Sequence, residues 1–281
     1  MAAAINVVSD TVLSTRGSTR ATLYNWTNKI LTNEGKTFVT WQDFLAANQI
    51  KTLDRKTGEW SDTDTVGCGV DNHCGPALSV DSEGFLHLVT GAHSHTVFQH
   101  RKSRHPYDQS EWLHYRPTGV NSTYPSLVCD REDMLHLTYR GCYCRAYWIE
   151  NDPTSHLMYQ RAQAAGGDWS SPVDLVRTEE PYGYTQYGNA LCIDRKNRVH
   201  MVFFMIEGYP EERGLRVGYM RSEDAGLTWV KSNGERMPIP SWKNTIEILD
   251  EVEEGRLRTT NIACDLQDRP YLVIFDRADG D

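Results

Sequence analysis

The chain has 281 residues, 39% hydrophobic and 24% charged, with a formal net charge of -9. Those proportions exclude a disordered or collagen-like polymer. The acidic balance, without a basic stripe to displace phosphate counterions, argues against nucleic acid as the main partner, and no apolar run approaches the ~20 residues that span a bilayer.

Met1–Val8 has neither a basic n-region nor a long apolar h-region, so no signal peptide is visible. A faint hairpin pattern begins at Lys29–Asn33 and continues into Lys36–Thr40. Four stronger copies follow, each an apolar run, an Asp, a polar turn and a second apolar run. They are Ala77–Asp81 into Phe85–Val89, Ser126–Asp130 into Met134–Thr138, Ala190–Asp194 into Arg198–Val202, and Ile262–Asp265 into Arg269–Val273. The successive steps Asp81 to Asp130, Asp130 to Asp194 and Asp194 to Asp265 are 49, 64 and 71 residues. A repeat of about 40–50 residues with several strands per unit predicts a β-propeller, the longer steps carrying loop insertions. Leu157–Arg161 and Leu215–Arg221 read as third strands, each followed by a turn and a Trp, Trp169 and Trp229; Trp60 and Trp112 hold similar places. No segment has a sustained helical period. The expected fold is a single all-β propeller domain over 1–281 with about five blade-like units. The last unit stops after one hairpin. Either residues 1–23 supply an outer strand that closes the ring, or the units belong to a larger propeller.

Ser222–Trp229 matches the Asp-box pattern Ser-x-Asp-x-Gly-x-Thr-Trp. Its Asp caps turn amides, its Gly supplies positive φ and its Trp packs between blades, so Asp224 is expected to be structural. Seven cysteines at irregular spacing do not form a disulfide framework. Cys129, Cys192 and Cys264 lie in strand-like runs and read as buried thiols.

Residues at the entrances of the inner strands and the ends of the second strands share one propeller face. There the sequence offers Asp71, His73, Tyr124, Tyr182, Tyr184 and Tyr187 at entrances, with His93, His95 and Arg140 at second-strand ends. This set suits β-elimination from a uronic acid. Arg pairs with the carboxylate and neutralises it, His accepts a proton near pH 7, and Tyr serves as acid or base. A conventional glycosidase needs two carboxylates at a fixed separation, and only Asp71 and Glu207 stand out.

Asp71–His73, Gly84–His93, Thr123–Pro125, Leu137–Arg140 and Leu215–Trp229 together resemble the BNR-repeat proteins that include propeller-type ulvan lyases and related polysaccharide lyases. The similarity runs from about residue 24 to residue 275. It implies a propeller, usually of seven blades, that acts on an acidic, uronate-containing polysaccharide. By this resemblance His73 and His93 are the paired active-site histidines, Tyr124 the catalytic Tyr, and Arg140, 16 residues later, the carboxylate-neutralising Arg. The division of base and acid between His93 and Tyr124 stays open. His95, Tyr143, Tyr184 and Tyr187 are carried over as substrate-binding residues. Gly141–Trp148 is bulky and aromatic where the family often has a Gly/Ser-rich stretch.

The chemistry requires no cofactor. A structural Zn or Ca is an additional expectation, with His200 its candidate ligand, although His87, His136 and His200 share one repeat position and so also fit packing. Cys142 and Cys144 offer zinc two thiolates. Arg101–His105 is either a solvated basic loop or a means of steering an anionic polymer. The expected protein is a monomeric lyase with an acidic polysaccharide substrate and no nucleic-acid or membrane partner, secreted or periplasmic by function. A sialidase-type hydrolase and a non-catalytic glycan-binding propeller are the alternatives.

Overall fold

A computed structural model describes residues 10–22, 24–94, 96–113, 116–142, 155–177, 187–207, 213–252 and 257–276. Its regular elements are all strands, 18 in number among the described residues. Four antiparallel meanders of four strands follow one another along the chain. The first comprises β1 (Ile30–Asn33), β2 (Lys36–Gln42), β3 (Ala47–Asp54) and β4 (Asp64–Cys68). The second comprises β5 (Ala77–Val80), β6 (Leu86–Thr90), β7 (Phe98–Lys102) and β8 (Arg116–Thr118). The third comprises β9 (Ser122–Cys129), β10 (Met134–Cys142), β11 (Ser155–Gln163) and β12 (Val173–Val176). The fourth comprises β13 (Tyr187–Ile193), β14 (Val199–Glu207), β15 (Arg213–Ser222) and β16 (Glu247–Glu251). β17 (Leu257–Cys264) and β18 (Pro270–Asp276) form a two-stranded fifth sheet. All the expected hairpins are present. Among the described residues, 10–22 form no strand, and Gly17 forms an isolated bridge with Asp43; the rest of the 1–23 segment expected to close the ring lies outside the described residues.

The first strand of each sheet touches the first strand of the next, from β1 to β5, β9, β13 and β17. This successive packing of inner strands is the propeller arrangement. Apolar cores fill the spaces between sheets. Phe38 and Ile50 meet Leu78 and Leu88, while Val89 and Phe98 meet Leu127 and Leu137. Leu157 and Tyr159 meet Met201, Phe203 and Trp229. Each large side chain buried this way contributes about 1.5–3 kcal/mol.

The repeated Asp has two functions. In the second to fourth sheets one carboxylate oxygen accepts the turn amide four residues on, from Phe85, Met134 or Arg198. The other oxygen accepts from Nε2 of the His six residues on, at 3.1 Å for His87, 3.2 Å for His136 and 3.0 Å for His200. Nε2 therefore carries the proton, and Nδ1 of each His accepts from the third strand, from His100, Tyr159 or Tyr219. Both ring nitrogens of the buried His200 are thus occupied by Asp194 and Tyr219. This corrects the expectation that His200 is a metal ligand. The position belongs to a brace that is Asp–His–His in the second sheet and Asp–His–Tyr in the third and fourth, while in the fifth sheet Tyr271 reaches Asp265 instead.

Asn28, just before β1, is a hub for three sheets. Its carbonyl accepts from Leu78 N at 2.8 Å, its Nδ2 donates to Leu127 O at 3.1 Å, and its Oδ1 accepts from Asn261 Nδ2 at 2.8 Å. The adjoining Tyr24 and Trp26 lie in the core cluster formed by Tyr124, Phe204 and Leu257. The segment ahead of the first sheet therefore occupies the middle of the assembly. The Ser222–Trp229 turn bonds Asp224 to Thr228 through both backbone and hydroxyl, at 2.8 and 2.6 Å. Trp229 crosses to the third sheet, edge-on to Tyr159 at 5.4 Å.

Candidate active site

The site starts from the turn that leads into β5. Asp71 Oδ1 accepts the amide of His73 at 2.8 Å, an Asx turn that folds the His73 ring back over the carboxylate. His73 Nδ1 lies 3.1 Å from the same oxygen. His93 arrives from the end of β6. Gly91 turns the chain there at φ 98, with the Cys68 carbonyl only 3.2 Å from where a Cβ would sit. His93 Nδ1 is 2.5 Å from Asp71 Oδ2. The two imidazoles stack at 4.1 Å with planes 20° apart.

An ionised carboxylate only accepts, so both Nδ1 atoms are donors to Asp71 and both Nε2 atoms keep a lone pair in the neutral rings. Burial works to raise the Asp71 carboxyl, but the His73 amide and the neighbouring histidines hold it below its usual range. Burial and the adjacent His93 lower the His73 imidazole, favouring its neutral form. The two imidazoles are each 23% exposed and Asp71 is 40% exposed, so this part of the site opens to solvent.

Tyr124 is aimed by a bulge. The β9–β10 register pairs Thr123 with Arg140 and Ser126 with Thr138, leaving Tyr124 and Pro125 opposite Tyr139 alone. Pro125 has no amide for the ladder, which suits a bulge. Tyr124 takes φ 57, a left-handed conformation that costs a non-glycine residue about 1–3 kcal/mol. Its carbonyl accepts from Asn189 Nδ2 at 3.3 Å. The Arg140 guanidinium sits 4.7 Å over the Tyr124 ring. Arg140 Nη2 donates to Ser94 Oγ and Thr123 Oγ1, both at 3.4 Å, and the Ser94 amide donates to Thr123 Oγ1 at 2.8 Å. Thr123 and Ser94 thus tie the His93 segment to the Tyr124–Arg140 pair. The Tyr124 ring centre is 6.4 Å from that of His73.

The four expected catalytic residues, His73, His93, Tyr124 and Arg140, therefore share one site at two depths. Tyr124 and Arg140 are 2% and 1% exposed and form its floor. Nothing in the repeat pattern signals what packs against them. Tyr24 packs 4.6 Å from Tyr124 and 6.3 Å from His73, and Trp26 stands edge-on to Tyr124 at 6.1 Å. Arg20 donates to the Tyr24 hydroxyl at 2.6 Å, and Lys29 donates from Nζ to the Tyr24 carbonyl at 2.7 Å. Burial pushes the Lys29 ammonium down to about 7. Arg20, Tyr24 and Trp26 precede the first repeat, so the repeat pattern carries no signal for them. In the sequence Asp71 reads only as a carboxylate of the cleft, and its place between two histidines comes from the fold. Of the expected substrate-binding residues, His95, Tyr143 and Tyr184 lie outside the described residues, as does the Tyr187 side chain. The basic run is structural in part: Lys102 donates to Asp81 and Arg104 pairs with Glu111.

Residues 5–281 match the family described as BNR repeat-containing family member. The chain is 24% identical to an ulvan lyase of Nonlabens ulvanivorans over 263 residues, covering 78% of this chain and 52% of that protein. It is 23% identical to Ulvan Lyase-PL25 of Pseudoalteromonas sp. (strain PLSV), covering 85% of this chain and 55% of that protein. It thus spans about half the length of these curated relatives. Among solved structures, a PL25 ulvan lyase bound to -[GlcA(1-4)Rha3S]- superposes with a TM-score of 0.78 at 17% identity, over 94% of this chain and 67% of that one. This likeness establishes the shared fold.

Proposed function

Because the chain belongs to the BNR repeat-containing family, we propose that it is a carbon–oxygen lyase that cleaves a uronate-containing acidic polysaccharide by β-elimination, with ulvan its first candidate substrate. The observation that carries this reading is the juxtaposition of two carboxylate-oriented histidines with a stacked Tyr124–Arg140 pair. The ulvan lyases among its relatives support the substrate class.

In the reaction, Arg140 pairs with the uronate carboxylate and so acidifies the carbon-bound proton beside it. A base takes that proton from C5, the electron pair forms the C4–C5 double bond, the C4–O bond breaks, and an acid protonates the leaving oxygen. Asp71 fixes the histidines with free Nε2 lone pairs, which fits His93 as the base and Tyr124 as the acid. Arg140 is 1% exposed, so a carboxylate reaches it only when side chains packed around it give way. A protein that works on such a polymer acts outside the cytoplasm.

The test is incubation with ulvan and with other uronate polymers, followed by ultraviolet absorbance of the unsaturated product. A rise in that absorbance supports the reading. New reducing ends without it identify a hydrolase, and binding without either identifies a glycan-binding propeller.

A further inference from the structure

Asp71, His73 and His93 bring one carboxylate and two imidazoles to a single point. Their ligand atoms all lie within 4.8 Å of one another, and they form the one such cluster among the described residues. We propose that these three residues form a binding site for a divalent transition metal, Zn2+ above all, and that its occupation turns elimination off. The inhibitory half rests on the lyase reading; the metal-binding half stands apart from it.

The donor set selects the ion. Two nitrogens and one carboxylate oxygen suit Zn2+, Co2+ and Ni2+, whereas Ca2+ and Mg2+ require mostly oxygen. Three protein ligands leave coordination positions for water, and the cluster is solvent-accessible. The two imidazoles belong to different loops, but the Asx turn fixes one, and the His93 amide, which donates to Thr96 Oγ1 at 3.1 Å, holds the other. A zinc–nitrogen bond is about 2.0–2.1 Å, so side-chain rotations on the order of 1 Å admit the ion between atoms now 2.5 and 3.1 Å apart. Cys74 Sγ is 3.9 Å from Asp71 Oδ1, but it is buried and not one of the three ligands. Arg20 is the nearby charge that opposes a cation, and its guanidinium is engaged by the Tyr24 hydroxyl.

Proton placement makes the two states exclusive. Without metal, each Nδ1 carries the proton and faces Asp71, and each Nε2 is basic. A metal ion takes both Nδ1 lone pairs, so each proton moves to Nε2. No net proton is released and no electron is transferred, yet neither imidazole then has a lone pair to accept the substrate proton.

Calorimetric titration with Zn2+ and the visible spectrum of the Co2+ form test binding without reference to turnover. The expected result is one ion per chain, with affinity lowered about tenfold or more in Asp71→Ala and in His93→Ala, while Cys74→Ser retains it. Circular dichroism checks that each variant folds. Turnover, measured in parallel, falls as the site fills and returns on adding a chelator. Absence of Zn2+ binding, or binding indifferent to both Asp71→Ala and His93→Ala, overturns the site. Binding that depends on these residues without loss of turnover overturns the exclusion. If no polymer is cleaved, the Co2+ spectrum still decides the site, and the failure then belongs to the lyase reading.

Discussion

Asp71 Oδ2 lies 2.5 Å from His93 Nδ1, and the other oxygen of the same carboxylate lies 3.1 Å from His73 Nδ1. One side chain thereby sets the tautomer of two histidines. Asp71→Asn preserves shape but not acceptor capacity. Its amide oxygen serves one Nδ1–H, and its NH2 turns the other imidazole into an acceptor at Nδ1, with a proton on Nε2. Turnover is expected to fall by about a hundredfold or more, with an unchanged circular dichroism spectrum.

Tyr124→Phe removes the hydroxyl and keeps the ring that Arg140 and Tyr24 pack against. The expected loss of turnover is about a hundredfold to ten-thousandfold, with the melting temperature nearly preserved. Arg140→Lys keeps a charge but loses the planar bidentate fork. It should lose turnover comparably, and adding more substrate should not restore it.

The repeat was legible because its physics is local. In the second to fourth sheets each Asp caps a turn amide four residues away and braces a His six residues away, so the hairpins and their meaning stand in the sequence itself. His200 was legible as a repeat position and misleading as a ligand, since Asp194 and Tyr219 engage both its nitrogens. Tyr124 and Arg140 could be picked out by motif, but not their burial. That depends on Tyr24 and Trp26, which come from a segment without periodicity and reach the middle of the assembly through tertiary packing.

Asn28→Ala tests the role of that segment. It removes the side-chain bonds to Leu127 and Asn261 while leaving the backbone bond to Leu78. At about 1 kcal/mol per bond the expected destabilisation is ~2 kcal/mol, read as a shift in the denaturant midpoint with unchanged slope.

Acid sensitivity follows from His100. Burial, reinforced by nearby His87, Arg116 and Lys102, pushes its imidazole down to about 3. An unfolded histidine titrates near 6.5, so below that pH the denatured state gains a proton that the folded state refuses. Stability should therefore fall as pH drops from about 6.5 toward 3. His100→Gln retains a donor for His87 Nδ1 and removes this titration. Its stability should depend less steeply on pH over that range in denaturant titrations.

Cys192 and Cys264 face each other across the fourth and fifth sheets with sulfurs 3.4 Å apart. Oxidised glutathione can accept two electrons from the pair: its S–S bond breaks, one protein disulfide forms, and the two thiol protons end on the two reduced glutathiones. Intact-mass measurement should show the loss of two hydrogens, abolished in Cys264→Ser, and the oxidised form should melt at a higher temperature.

The most direct test of the central claim compares wild type with Tyr124→Phe on ulvan by the ultraviolet absorbance of the unsaturated product. The account predicts a steady rise for wild type and almost none for the variant, both proteins folded. Equal rates in the two, or fragments formed without that absorbance, would contradict it.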